Sequence, residues 1–189
     1  MNPSYGIIQL RAMEPEDAPF TLKLLNDSRI GNMVVGCNLS VSLYEEEQWI
    51  KNFHNTNQCI RWIAEFEDGT RLGTVIVHSI DWVNRTVGVD IKVNINEPKR
   101  KHGDAKDAYY AALCYVFDEL NLNRVTAKIL EYNLPSLNLF KTMGFKEEGV
   151  IRSAVFKSGS YHNLIIMGLL RDDFIRYEDG SAPWQIDRQ

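Results

Sequence analysis

Cysteine is scarce in this 189-residue sequence, and its three copies are scattered. Cys37, Cys59 and Cys114 form no CxxC pair, and no Cys/His spacing typical of a metal site is present. We therefore expect no bound metal. We interpret the cysteines as reduced structural thiols in a reducing compartment.

Long apolar runs and an excess of basic residues are also absent. No run approaches the length that spans a membrane, and the N-terminus lacks the basic segment and apolar stretch of a signal peptide. The 21 Lys and Arg against 25 Asp and Glu give a net charge of −4, which argues against electrostatic binding of nucleic acid. The sequence thus predicts a soluble, cytoplasmic protein with neither a nucleic-acid nor a membrane partner.

The periodicity of the apolar residues changes along the chain. Helical spacing predicts helices, at residues 14–27, 43–56, 105–120 and 134–143. Runs bounded by turn signals predict strands, at residues 7–13, 60–82 (two strands), 86–95, 124–131 and 150–171 (a hairpin). This order predicts an α/β fold with a mixed sheet, in one domain over residues 1–174. Residues 175–189 are expected to form a polar, loosely attached tail.

The segment RKHGDA, residues 100–105, lies between a predicted strand and the longest predicted helix. Such a junction offers free backbone N–H groups and the positive end of a helix dipole to an anion. Gly103 lets the backbone approach a ligand closely, and basic residues precede it. The alternative is a basic turn that caps a surface helix, and these residues by themselves do not decide between the two.

Two motifs resemble signatures of the GNAT N-acetyltransferases. RKHGDA fits the pyrophosphate-binding pattern Gln/Arg-x-x-Gly-x-Gly/Ala, and Asn133 and Ser136 form an Asn-x-x-Ser motif before a short helix that ends in Gly144-Phe145. The closing hairpin is similar to that of the subgroup that acetylates ribosomal-protein N-termini, polyamines and amino sugars. The resemblance covers residues 7–174. It implies a single GNAT-like domain with a mixed, mostly antiparallel central sheet of about seven strands, splayed between the fourth and fifth and flanked by helices.

The resemblance also implies an acyltransferase that moves an acetyl group from acetyl-CoA, its co-substrate, to a primary amine. The acceptor would be a protein N-terminus, a polyamine or an amino sugar, bound by a monomer or homodimer. The alternative function is a non-catalytic acetyl-CoA-binding or interaction module on the same fold. By this resemblance the cofactor-binding residues are Arg100, Lys101, His102, Gly103, Asp104, Ala105, Asn133, Ser136, Phe140 and Lys141.

Amide formation requires a neutral amine, whereas an alkylammonium group has a pKa of about 10.4 and is almost fully charged at pH 7. A general base or a water relay is therefore needed. Asp90, in the strand TVGVDIKVNI, is our candidate catalytic base, because the subgroup often has a glutamate there. Since aspartate is shorter, we expect a water between Asp90 and the amine. The alternative interpretation is a solvent-facing residue of an alternating strand.

Phe140 occupies the position where many GNAT relatives have a tyrosine near the CoA sulfur, and it has no hydroxyl to donate. If Gly144 is the C′ residue of the short helix, Phe140 and Phe145 are positions C3 and C″ of a Schellman ending. We therefore interpret Phe140 as structural and expect the thiolate to leave unassisted or to take its proton from water. Tyr161 and His162 are weaker candidates for donating a proton to the thiolate, since we expect Tyr161 to pack on the sheet and His162 to lie at the surface.

Asn133 has two compatible interpretations, an N-cap of the short helix and a contact to the cofactor, and Ser136 shares both. Lys141 reaches either a CoA phosphate or solvent. The acceptor site is expected between the first helices and the last hairpin. There the run Glu45, Glu46 and Glu47 would either attract a cationic amine or, as we favour, form a solvated helix face.

Overall fold

The computed structural model describes residues 2–36, 39–95, 104–178 and 181–186. Its strands are β1 (Ser4–Tyr5), β2 (Ile8–Ala12), β3 (Cys59–Phe66), β4 (Arg71–Asp81), β5 (Thr86–Val93), β6 (Arg124–Leu130), β7 (Lys146–Lys157) and β8 (Ser160–Leu170). They form one sheet in the order β1-β2-β3-β4-β5-β6-β8-β7. Neighbouring strands are antiparallel except β5 and β6, which are parallel.

This topology confirms the predicted α/β fold and the mixed, mostly antiparallel sheet. The eighth strand is the two-residue β1, which turns back through Gly6 and Ile7 to pair with β2. The predicted fourth and fifth strands are therefore β5 and β6. The final hairpin starts earlier than predicted, at Lys146, because the first residues of β7 already pair with the end of β8.

The helices found in the described ranges flank this sheet. They are α1 (Ala18–Asn26), α2 (Ser28–Gly31), α3 (Leu43–Asn52), α4 (Asp104–Cys114), α5 (Leu134–Thr142) and α6 (Pro183–Ile186). α4 continues into a π-helical turn, Tyr115–Glu119, so the helical segment has about its predicted extent. None of these helices is both long and apolar enough to cross a membrane.

α4 is the central helix of the main apolar core. Every side chain from Ala108 to Leu113 is buried, and the helix contacts β1, β2, β4 and β5. The apolar residues at helical spacing, such as Ala108, Tyr109 and Leu113, lie on one side of this helix. In the structure the opposite side is buried as well, since Asp107, Tyr110 and Ala111 are each at most 2% exposed.

The C-terminal segment covers that second side of α4. Tyr110 packs against Tyr177 and Trp184, with ring centroids 5.9 and 5.7 Å away. Trp184 Nε1 donates a 2.8 Å hydrogen bond to Oδ1 of the buried Asp107. The expectation of a loosely attached tail is therefore wrong for the described residues of this segment, because its aromatic side chains bury apolar surface of α4.

A second, smaller apolar layer lies on the other face of the sheet, together with α1 and α3. Leu24, Ile50 and Ile63 are buried but lie outside the main cluster. The alternation of strand residues explains this for Ile63, because its neighbours in the chain belong to the main cluster. β5 alternates in the same way, so Val89 joins the main core and Asp90 faces the second layer.

Trp184→Ala tests the attachment of the C-terminal segment. Loss of a fully buried aromatic side chain typically lowers the free energy of unfolding by about 3–5 kcal/mol. Ile175→Ala is the matched control, since Ile175 lies in the same segment with 58% of its surface exposed. The control should change stability by about 0.5 kcal/mol or less. Urea denaturation measures both variants, and equal effects would contradict the packing.

Candidate active site

The sheet opens between β5 and β6. These strands pair over only three residue pairs, which end at Gly88 and Thr126. Beyond them, β5 continues to Val93 beside β4, and β6 continues to Leu130 beside β8. The predicted splay is confirmed. Within the part of the chain that the structure describes, the facing edges of the two strands have no strand partner along this stretch.

β5, α4 and β6 form a β-α-β unit, the connection that parallel strands require. In such a unit the helix runs antiparallel to both strands, so its N-terminus lies at the carboxyl ends of the strands. Those are the diverging ends here, and ligands of open α/β sheets bind at this end, where a helix N-terminus favours an anion. The unit therefore brings the start of α4 to the opening.

Part of the predicted pyrophosphate loop lies outside the described residues, namely Arg100, Lys101, His102 and Gly103. Of the other two loop residues, Asp104 is buried and begins α4, and Ala105 is half-buried. The helix thus begins within the motif, one residue before its predicted start. Binding of a pyrophosphate by residues 100–105 stays a prediction.

Tyr109 ties α4 to β5 at the opening. Its hydroxyl donates a 3.0 Å hydrogen bond to the carbonyl of Val89, the first residue of β5 beyond the stretch that pairs with β6. Burial, and then the negative charge of Asp90, raise the pKa of the Tyr109 phenol well above its usual value. The phenol therefore stays neutral, and its hydroxyl proton is engaged in holding β5.

α5 ends as the sequence predicts. The amide of Phe145 donates to the carbonyl of Phe140, and the amide of Gly144 to that of Lys141, both at 3.1 Å. Gly144 has a φ of +90°, the left-handed conformation that favours glycine at C′. The Phe140 ring lies 4.8 Å from that of Phe145 and 5.0 Å from that of Tyr109. Phe140 is thus confirmed as a buried structural residue, and its contact with CoA stays a prediction.

Asn133 caps α5 as predicted. Its Oδ1 accepts a 3.1 Å hydrogen bond from the amide of Ser136, and its Nδ2 donates to the carbonyl of Met33 at 2.8 Å. One side chain thus joins the start of α5 to the loop after α2. Ser136 is half-buried and Lys141 is exposed. Contacts of Asn133, Ser136 and Lys141 to the cofactor stay predictions.

Asp90 lies on β5 two residues beyond the last pair with β6, next to the opening. Its side chain is 59% exposed, and its Oδ2 lies 3.1 Å from Nε2 of His78 on β4. A carboxylate in this position is accessible both to an amine and to water, as a general base must be.

Charged side chains of both signs act on Lys92, the next residue on the same face of β5 as Asp90. Lys92 is half-buried on the same face of β5 as Asp90. Burial lowers the pKa of Lys92, and so does the positive charge of Arg61. The negative charges of Asp90 and Glu46 act in the opposite direction. Arg61 of β3 lies over the ring of Trp49, 4.8 Å from its centroid. Lys92 is therefore a partly desolvated cation on the same face of β5 as the candidate base, and a second cation, Arg61, acts on it.

The expectation of a solvated face in the run of three glutamates is wrong for Glu46. Glu45 is exposed and forms a capping box with Ser42 at the start of α3. Glu46 is only 4% exposed, because the helix turns it towards the sheet, where its charge acts on Lys92. Glu47 is half-buried. A buried acid thus acts on Lys92, the neighbour of Asp90 on that face of β5.

Tyr161 and His162 lie on β8, on the far side of the opening from Asp90. The expectation that Tyr161 packs on the sheet is wrong, since it is 68% exposed and its ring meets that of Phe156 edge-to-face, with the centroids 5.1 Å apart. His162 is half-buried, with Nδ1 3.6 Å from Oε1 of Glu131.

The sequence did not reveal His78, Arg61 or Lys92 as neighbours of Asp90. Their proximity depends on strand register, which places His78 opposite Gly88 and brings β3 alongside β4. The one available signal was the alternation that puts Asp90 and Lys92 on the same face of β5.

The chain is similar to N-acetyltransferases over most of its length. A family model described as acetyltransferase (GNAT) domain matches residues 8–146. The chain is 29% identical over 167 residues to the SPbeta prophage-derived uncharacterized N-acetyltransferase YokL of Bacillus subtilis, an alignment that covers 88% of this chain and 92% of the relative. It is 28% identical over 178 residues to the putative ribosomal N-acetyltransferase YdaF of the same organism, with 88% and 93% covered.

A solved structure agrees with these relatives. The spermidine N-acetyltransferase from Vibrio cholerae, in complex with CoA and spermine, matches with a TM-score of 0.81 at 26% identity. The match covers 90% of this chain and 99% of that one. The similarity therefore extends over the sheet, the opening and the helices around it.

Asn133→Ala is expected to lower the free energy of unfolding by about 1–2 kcal/mol, the usual cost of a lost N-cap. Asn133→Ser is the matched control, because serine caps a helix well but lacks the amide that donates to Met33. Its stability, measured by urea denaturation, should lie between those of the wild type and Asn133→Ala. If serine destabilises as much as alanine, the cap contributes nothing.

Proposed function

Since the chain belongs to the GNAT family of acetyltransferases, and is thus an acetyl-CoA-dependent N-acetyltransferase, we propose how it performs the transfer. A primary amine attacks the thioester directly in a ternary complex, and Asp90 is the general base. The observation that carries this proposal is the exposed Asp90 carboxylate beside the opening between β5 and β6.

The opening fits the extended part of acetyl-CoA. Backbone N–H and C=O groups along residues 89–93 of β5 and 127–130 of β6 face a gap rather than another strand. The pantetheine arm carries amide groups that form the same hydrogen bonds as a strand, so it satisfies such edges. The pyrophosphate would then meet the start of α4 and the predicted loop, residues 100–105, whose sequence includes Arg100 and Lys101.

Asp90 takes a proton from the ammonium form of the acceptor, directly or through a water, and this frees the nitrogen lone pair to attack. The C–N bond forms, and backbone N–H groups of the open β5 edge are suited to stabilise the oxyanion. The C–S bond then breaks, the CoA thiolate leaves, and the nitrogen loses its second proton to water. Phe140 has no proton to give, and the Tyr109 hydroxyl is bonded to Val89. The thiolate therefore takes its proton from water.

The charges around Asp90 bear on the acceptor. A solved relative binds spermine, but here Lys92 lies on the same face of β5 as Asp90, and the positive charge of Arg61 acts on Lys92. Additional ammonium groups of a polyamine would meet these cations, and Glu46 offsets them only in part. We therefore propose an acceptor with one reacting amine and a neutral or anionic neighbouring group, which is the chemistry of a protein N-terminus or an amino sugar.

A screen of acceptors by thiol release tests this proposal. Peptides with free N-termini and amino sugars should release CoA faster than spermidine at equal concentration. Lys92→Gln removes one repelling charge, so it should raise the kcat/KM for spermidine relative to that for the preferred acceptor. Spermidine as the best substrate, with no effect of Lys92→Gln, would contradict the acceptor class. Tight acetyl-CoA binding without thiol release on any amine would contradict the enzymatic role of the site.

Asp90→Asn removes the base while keeping the shape of the side chain. Turnover at neutral pH should fall by about 10²-fold or more, the usual contribution of a general base. The Kd for acetyl-CoA, measured by calorimetry, should change little. Glu119→Gln is the control. It neutralises an exposed acid in the π-helical turn after α4 and should leave both turnover and the Kd for acetyl-CoA unchanged. Unchanged turnover of Asp90→Asn would remove Asp90 from the mechanism.

A further inference from the structure

We propose that His78 is a positioning residue for Asp90: through Nε2 it holds Oδ2 of the carboxylate, so that Oδ1 is left to receive the proton of the amine. This inference rests on the proposed function of Asp90 as the base. It assigns a role to a histidine on β4, a strand that carries none of the predicted site residues.

The first observation is the contact itself. His78 and Asp90 lie on adjacent antiparallel strands, and Nε2 of His78 is 3.1 Å from Oδ2 of Asp90. Both side chains are partly exposed, at 39% and 59%. An exposed pair of this kind adds little to stability, so a structural purpose alone explains it poorly. Such contacts tighten into aligned hydrogen bonds when a substrate is bound.

The second observation is the space that the imidazole occupies. Gly88 is the cross-strand partner of His78. A Cβ atom at position 88 would lie 2.5 Å from Cε1 and 2.7 Å from Nε2 of the ring. Any side chain there would push the imidazole from its place beside Asp90. Gly88 also ends the pairing of β5 with β6, so the residue that admits His78 marks the start of the opening.

The third observation is the support on the other ring nitrogen. Oγ of Ser79 lies 3.1 Å from Nδ1 of His78. Ser79 has a φ of +54°, a left-handed conformation that is unusual for serine, at the irregularity in register between His78 and Asp81. One tautomer satisfies both contacts, with Nε2–H donating to Asp90 and Nδ1 accepting from the Ser79 hydroxyl.

Two substitutions separate positioning from packing. His78→Leu has a similar volume and no donor, and it should lower kcat about tenfold, a part of what the base contributes, with the KM for acetyl-CoA unchanged. His78→Gln keeps an N–H donor but cannot ionise. Its kcat should be close to that of the wild type at neutral pH. His54→Leu, at an exposed histidine after α3, is the control and should leave kcat and KM unchanged.

A double-mutant cycle with Asp90→Asn shows whether His78 acts through Asp90 or independently of it. If His78 acts through Asp90, His78→Leu should have no further effect in the Asp90→Asn background. An equal loss in both backgrounds, or a wild-type rate for His78→Leu, would overturn the role of His78 and leave the base in place. A wild-type rate for Asp90→Asn alone would instead overturn the proposed function. Thermal melts of each variant show whether a lost rate reflects a lost fold.

Discussion

The short parallel pairing of β5 with β6 is the constraint on which the rest of the site depends. Each strand keeps a full antiparallel neighbour on its outer side, β4 for β5 and β8 for β6, but they share only three residue pairs with each other. Beyond Gly88 the inner edges diverge, and their N–H and C=O groups need partners other than a strand. Tyr109 supplies one of these partners, at the carbonyl of Val89.

The same divergence brings the proposed functional groups of the site together. The β-α-β connection brings the start of α4 to the open end of the strands, where a helix dipole favours phosphate. Gly88 ends the pairing, leaves room for His78 and thereby fixes the neighbour of Asp90. The C-terminal segment packs on the opposite side of α4, where Trp184 donates a hydrogen bond to Asp107 and so helps to hold the helix in place. The proposed cofactor site and the proposed base both lie at this one local departure from sheet geometry.

The features that the sequence predicted are those that depend on near neighbours in the chain. The Schellman ending of α5 involves Phe140 to Phe145, and the cap at Asn133 reaches three residues ahead. The pairing of His78 with Asp90 depends instead on the register between two strands, which no local pattern specifies. The burial of Glu46 and the docking of Trp184 on Asp107, 77 residues away in the chain, likewise depend on tertiary packing. The family motif predicts the place for the cofactor, whereas the charges invoked for the proposed acceptor come from three separate elements, β3, β5 and α3.

A crystal structure of the chain with bound CoA tests most directly whether the opening is the seat of the cofactor. We expect the pantetheine arm to lie between residues 89–93 of β5 and 127–130 of β6, with its amides bonded to the strand edges. The pyrophosphate should contact residues 100–105 at the start of α4, and the sulfur should lie on the side of Asp90. CoA bound at another surface, with the two strand edges free of ligand, would contradict this assignment.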